Sequence, residues 1–569
     1  MTKRLILMLL LSCSPLWAAT YYVDNCVAVG NDLNNGTSPS TAWLTINKVN
    51  TSKFLPGDSI LFQSTCTWRE QLTVPSSGAA GSPITFGAYG TGAAPIISGA
   101  NLFTSWTPSA GSLYYASYST APNQVFEDGA RLTQNTVSAA SLTAGQWYLD
   151  TVNSRIWVYL TAGDSPSGHT MEASQRDDGV LVQTENYVTV EDLAVTMANS
   201  NYGGGIEVVA SNYTTIKNCD ISYSYFHGIW VWHSTMDSTY GVIQNCTVSY
   251  NGATGINLAD HARYWTIQNN TVHHNCALSV VNLYTAGIRL VGDGTVSNIT
   301  IQNNQVYSNG LGQAASIGAG VWIDTQSQNN IVRWNNVYGN QFDNIRIEIS
   351  SDNQVYCNIA SGSIAASGIS VTGRTGTPIS GVVVYNNTSY GNHVSGLQAW
   401  GDLTAGSIVN NTFKNNISVG NGTFQLDAAG GGENDGSDGS GNVYTYNDFG
   451  AQSPSFIQWG FGNYESTYTA WETATGNCVT TGCSHSVEAA PTFANSSAGQ
   501  FWLTSGSPGI DSGATLGSPF NIGLMPGSAW PNSVVTGDQN AFGSGWEIGA
   551  FIYVPAGPAP PTNLQTVAH

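Results

Sequence analysis

Short apolar runs alternating with polar residues recur along the chain from about residue 178. One half-pattern reads Gly-Ile-x-Val, as in Gly205-Ile206-Glu207-Val208, Gly228-Ile229-Trp230-Val231, Gly287-Ile288-Arg289-Leu290 and Gly320-Val321-Trp322-Ile323. The other reads Ile-x-Asn-Asn-x-Val, as in Ile267-Gln268-Asn269-Asn270-Thr271-Val272 and Ile301-Gln302-Asn303-Asn304-Gln305-Val306. The two halves alternate. Successive Gly-Ile runs, counted from Ile206 to Leu397, lie 23, 27, 32, 33, 24, 24 and 28 residues apart. Period-two alternation sends neighbouring side chains to opposite faces of a strand. A strand pattern repeating every 23 to 33 residues predicts a solenoid of stacked coils, since one coil cannot bury its Ile and Val alone. The recurrent Asn270, Asn304, Asn335 and Asn411 are expected to stack at one corner and to tolerate a left-handed turn there. Cys219 and Cys246 fall at the matching place, as stacked thiols or as a disulfide.

Aligning the coils produces two outward columns. The first runs Glu207, Trp230, Asn257, Arg289, Trp322, Arg346, Ser370, Gln398. The second runs Val209, Trp232, Ala259, Val291, Asp324, Glu348, Thr372, Trp400, and the loops beyond add Asp260, His261, Asp293 and Arg374. Charged residues are only 9% of the chain, against roughly 25% in a typical soluble domain. Their gathering here, beside four tryptophans, marks a binding face. Indole faces accept sugar C–H surfaces while polar groups bond hydroxyls, so Trp322, Arg346, Arg289, Trp230, Trp232, Asn257, Asp260, His261, Trp400, Glu207 and Arg374 are candidate substrate contacts.

Asp324 and Glu348 are 24 residues apart, the spacing of their own two coils. Neighbouring strands lie ~4.8 Å apart, which predicts carboxyls on the order of 5 Å apart, as in a retaining glycosidase. Like-charge proximity predicts one protonated and one ionised group, with Arg289 and Arg346 keeping the nucleophile ionised. No cofactor is required; a Ca²⁺ held by the pair is the alternative.

Other segments frame this body. Met1 to Ala19, with Lys3 and Arg4 before the run Leu5–Leu11, reads as a signal peptide, so the mature protein is expected to be secreted, extracellular or periplasmic. A lipoprotein anchor at Cys13 is the weaker reading, because Leu11 is bulky for that motif. No other run is long enough to span a bilayer. Residues 20–100 are short apolar runs between Gly, Pro and Asn turns; residues 101–177 are rich in aromatics and read as an inserted antiparallel β module. The body is 178–425, a C-terminal end and closing segment 426–554, and a Pro-rich tail 555–569. The Asp32–Asn35 cluster reads as an Asx turn, with cation binding the alternative. Cys26–Cys66 and Cys478–Cys483 are plausible disulfides.

Net charge is −20, and about −22 once Lys3 and Arg4 leave, which argues against nucleic acid or an acidic polysaccharide as partner. A neutral polysaccharide or oligosaccharide is the expected partner, met by a monomer.

These features resemble the secreted right-handed parallel β-helix proteins of pectate-lyase-like fold, an all-β solenoid. Residues 20–100 resemble their N-terminal cap and first coils; Pro491 to Tyr553 resembles their closing segment. The Val-Trp-Ile-Asp strand, followed one coil later by Ile-Arg-Ile-Glu-Ile-Ser, looks like the β-helix glycoside hydrolases of the retaining β-xylosidase type. That resemblance covers roughly 180–425 and implies Asp324 as nucleophile and Glu348 as acid/base. A polysaccharide lyase acting by β-elimination, with Arg289, Arg346, His261 and Arg374 as its cations or base, and a non-catalytic carbohydrate-binding β-helix are the alternatives.

Overall fold

The computed structural model describes residues 18–28, 30–278, 284–374, 376–401, 408–431, 439–474 and 486–555. The proposed signal run, Cys13, the Cys478–Cys483 pair and most of the tail lie outside them.

Three long parallel sheets wind about one axis. The first has 13 strands, from Thr20–Val23 to Val443–Thr445; the second has 11, from Thr67–Trp68 to Ile417–Val419. The third runs in parallel from Leu72–Thr73 to Ile457–Trp459 and ends on a short antiparallel strand, Tyr464–Glu465. The Gly-Ile runs are the third sheet, and the Asn-containing runs lead from the first sheet into the second. This is a right-handed parallel β-helix. Among the described residues, no helix is long and apolar enough to cross a membrane.

Inward residues form one continuous column of core, for example Ile206, Ile229, Ile256, Ile288, Val321, Ile345 and Ile369, all fully buried. At the corner between the first and second sheets, Asn270, Asn304, Asn335, Asn358, Asn387, Asn416 and Asn447 form a ladder. Each Nδ2 donates to the Oδ1 of the next at 2.9–3.1 Å. Asn411 is a correction: it bonds Asn442 in a separate ladder at the start of the Thr412–Lys414 strand, and Asn416 at the end of that strand takes the expected place. The left-handed residue is also not the ladder Asn but the one before it, such as Asn269, Asn303 and Trp334 at φ 56–57°. The ladder amide must point inward to bond along the axis, so the residue beside it absorbs the turn.

The glycine of Gly-Ile has a steric cause. A Cβ on Gly228 would lie 2.6 Å from the carbonyl of Gly255 and 2.7 Å from Asn251 Nδ2, and one on Gly320 would lie 2.4 Å from the carbonyl of Asn344. A second Asn ladder occupies this corner: Asn251, Asn275, Asn309 and Asn340. The Glu348-bearing coil has Asn344 in the glycine position. Asn344 accepts from Asn340 and donates to Asn392, each at 2.9 Å.

Cys219 and Cys246 are free, buried thiols in the stack. Cys26 and Cys66 form a disulfide. Asp32 accepts from the Leu44 and Thr45 amides and the Thr45 hydroxyl, so its carboxylate closes a turn. Residues 100–174 leave the coil and return to it, forming a four-stranded antiparallel sheet and a five-stranded one with a single parallel pairing. The coil also outlasts its sequence signature: Phe424–Ala429 and Ile457–Trp459 continue the third sheet past residue 425.

Candidate functional site

The outward face of the third sheet collects the charged groups. Register pairs Arg289 with Trp322 and Trp322 with Arg346, and pairs Val291 with Asp324. Ile323 pairs with Ile347, so Asp324 and Glu348 follow side by side at the ends of their strands. Asp324 is 5% exposed and Glu348 3%, which makes them the enclosed floor of the face.

Each carboxylate has its own cation. Arg289 donates to Asp324 Oδ2 at 2.6 Å, and the Thr325 hydroxyl donates to Oδ1 at 3.0 Å. Arg346 donates through Nε to Glu348 Oε2 at 3.0 Å and through a terminal nitrogen to Asp343 at 2.7 Å. Arg374 donates through Nε to Glu348 Oε1 at 2.7 Å, and half of its side chain is open to solvent. Trp322 is buried between two guanidinium groups, Arg289 5.2 Å and Arg346 5.6 Å from its ring centre.

These pairings correct the expected electrostatics. Burial by itself would raise the Glu348 carboxyl, but Arg346 and then Arg374 outweigh it and hold Glu348 below the usual carboxylate range. Mutual repulsion therefore does not keep Glu348 protonated. Arg346 serves Glu348 and Asp343, leaving Arg289 alone on Asp324.

Of the remaining sequence candidates, Glu207, Trp230 and Trp232 form a second cluster upstream. The two indoles stack at 4.7 Å, and Trp232 Nε1 donates to Glu207 Oε1 at 2.6 Å. Asp178, not singled out from the sequence, lies against Glu207; burial first, and then that neighbour, push its carboxyl up to about 9. Asn257 bridges the clusters by register. His261 turns to Asp237 at 3.0 Å, away from the carboxylate pair, and neighbouring Asp260 is half-buried in the same turn. Trp400 lies two coils beyond Glu348, edge-on to Phe461.

Asp343 was also missed, although it begins the Glu348 run. It is buried, pairs with Arg346 and accepts from the Ser370 hydroxyl at 2.8 Å. Its signal was a carboxylate preceding the coil's unusual Asn344. Several buried polar atoms of this face have no partner among the described residues: His227 Nδ1, Trp230 Nε1, Asn257 Oδ1, Arg289 Nε, Trp322 Nε1 and Thr372 Oγ1. Orphans of this kind are rare in protein interiors and mark places where a ligand or water completes the bonding.

The fold and this face define a right-handed parallel β-helix protein with a buried carboxylate–arginine cluster along one sheet. The family described as right handed beta helix region matches residues 158–306. A lacto-N-biosidase of Bifidobacterium longum subsp. longum is 40% identical over 75 residues, 12% of this chain and only 5% of that protein's length. Among solved structures, XylC in complex with xylose superposes with a TM-score of 0.57 at 17% identity, over 70% of this chain and 75% of that one. A glycoside hydrolase superposes at 0.51 and 12% identity, over 76% and 96%. At these identities the structural likeness establishes the fold.

Proposed function

We propose that the protein is an exported, carbohydrate-active β-helix enzyme, a retaining glycoside hydrolase acting on a neutral glycan. The observation that carries this reading is that Asp324 and Glu348 each follow directly on the paired Ile323 and Ile347 of adjacent strands, each buried and each bonded to arginine. Adjacent strands set carboxyls on the order of 5 Å apart, the separation at which one attacks and the other transfers a proton.

Asp324, oriented by Arg289 and Thr325, attacks the anomeric carbon. Glu348 in its acid form gives its proton to the departing glycosidic oxygen, leaving a glycosyl ester on Asp324. Glu348, now a carboxylate, takes a proton from water, whose oxygen displaces Asp324 and returns the sugar with its anomeric configuration retained. Because Arg346 and Arg374 hold Glu348 ionised, its acid form grows as pH falls, and activity belongs on the acid side of neutrality.

The same pairings count against the competing chemistries. A β-eliminating lyase needs a cation free to neutralise a uronate, but Arg289, Arg346 and Arg374 are each committed to a carboxylate. Three guanidinium groups against the pair make it equally poor for Ca²⁺. The deciding experiment uses a panel of 2-fluoro aryl glycosides and peptide mass spectrometry. A glycosyl ester on Asp324 is expected. Unsaturated uronide products, or full activity in both Asp324→Asn and Glu348→Gln, would sink the assignment.

A further inference from the structure

The outward column does not stop at the carboxylate pair. Register carries Arg346 to Ser370, Gln398, Asp427 and Gln458 in successive strands. The parallel column carries Glu348 to Thr372 and Trp400. Over these strands the face opens into a cavity of about 570 Å³, within the ~300–1,000 Å³ range of small-molecule sites.

Its floor is polar and held in place. Gln458 Nε2 donates to Asp427 Oδ1 at 2.6 Å and Gln398 Nε2 to Oδ2 at 2.9 Å. Thr372 lines the cavity, its Oγ1 buried and without a partner among the described residues. The rim is aromatic: Trp400 stands edge-on to Phe461 at 5.6 Å, and Phe461 and Tyr464 are 40% and 56% exposed. Large exposed rings around a polar floor are the arrangement that takes sugars, with ring C–H faces on the aromatics and hydroxyls on the floor.

The charges set the class of sugar. Asp427 is buried and has no basic partner among the described residues. Arg346, the only cation among the described residues that line the cavity, is spent on Asp343 and Glu348. An incoming carboxylate or sulfate would meet Asp427 with nothing to neutralise it.

We infer that this cavity is a sugar-binding subsite for a neutral mono- or disaccharide unit adjoining the scissile bond, with Gln398, Asp427 and Thr372 reading hydroxyls and Trp400, Phe461 and Tyr464 stacking on the rings. The inference rests on the hydrolase reading for the word "scissile" alone; binding at the cavity is independent of turnover.

Calorimetric titration of full-length Asp324→Asn with xylobiose, cellobiose, lacto-N-biose and digalacturonate tests it. At least one neutral disaccharide binds and digalacturonate does not. Phe461→Ala and Trp400→Ala each weaken the neutral ligand about tenfold, the size of one lost stacking contact. Phe461 is exposed enough that its truncation leaves the fold intact, which thermal melting checks. The inference is overturned if no neutral disaccharide binds, if digalacturonate binds as tightly, or if both aromatic truncations leave affinity unchanged. A wild-type protein that cleaves nothing, yet shows these binding losses, would fail the hydrolase reading while the subsite stands. Cleavage abolished by Asp324→Asn, with affinity and KM untouched in both aromatic variants, would do the reverse.

Discussion

At the inner corner of the coil, Asn304 gives its amide to Asn335, Asn335 to Asn358 and Asn358 to Asn387, each at 3.0–3.1 Å. On the outward face of the third sheet the same successive coils offer Arg289, Trp322, Arg346 and Ser370. The corner repeats one residue and satisfies it with its copy. The face repeats nothing and leaves buried polar atoms unpartnered. Identical neighbours solve a structural requirement that recurs in every coil. Dissimilar neighbours meet a ligand whose chemistry differs from one coil to the next.

If the contrast holds, changes on the face remove activity with little effect on stability, and changes at the corner do the opposite. The largest effect belongs to Asp324→Asn, which should lower kcat/KM by roughly 10⁴-fold, as loss of a nucleophile does. Turnover of an activated aryl glycoside measures it, and circular dichroism verifies the fold. Glu348→Gln should cost about 10²–10⁴-fold, the range of general acid–base catalysis. The loss should shrink for leaving groups that need no proton, which separates a proton donor from a structural carboxylate.

Asn335→Ala works at the corner. Asn335 Oδ1 accepts from the backbone and side chain of Asn304, and its Nδ2 donates to the Ile301 carbonyl and to Asn358. Orphaning such buried groups should lower stability by about 3 kcal/mol. Urea unfolding measures the loss, and activity per folded molecule should be unchanged. If activity falls with it, corner and face are not independent.

The smallest effect is the most specific. Removing one of the two cations on Glu348 by Arg374→Gln should raise that carboxyl and move the alkaline limb of activity to higher pH. The sign for stability is opposite. Held below its ordinary range, Glu348 contributes stability above its unfolded-chain pKa, and that contribution is lost as pH falls through the folded value. The proton that equips the site for catalysis weakens the fold around it. An unmoved limb in Arg374→Gln would remove Glu348 as the titrating group.

The repeating corner was largely legible in the sequence and the non-repeating face only partly. Ile and Val at period two, glycine before them and Asn between them disclosed the coil. The equal spacing of Val321–Ile345 and Asp324–Glu348 disclosed the pair. Asn411 was misassigned because the Thr412–Lys414 strand has an Asn at both ends, Asn411 and Asn416, and spacing alone does not say which of them joins which ladder. Asp427 escaped because its strand, Phe424-Gln425-Leu426-Asp427, has lost the Gly-Ile signature while retaining its core Leu426. The partition of three arginines among Asp324, Asp343 and Glu348 depends on side-chain reach across strands, which no spacing encodes.

Asn344 has one more consequence. In a solenoid each coil is held by its immediate neighbours, so the array is as cooperative as its weakest joint. The coil after Asn340 returns to this corner with Ser363, whose side chain turns to the Ala366 carbonyl instead of continuing the chain of amides. Asn344 splices that gap, linking Asn340 directly to Asn392 and on to Asn421. The splice lies in the coil that bears Glu348. Without it the ladder of amides would be interrupted in that coil, and strand pairing and the shared core would hold the joint by themselves.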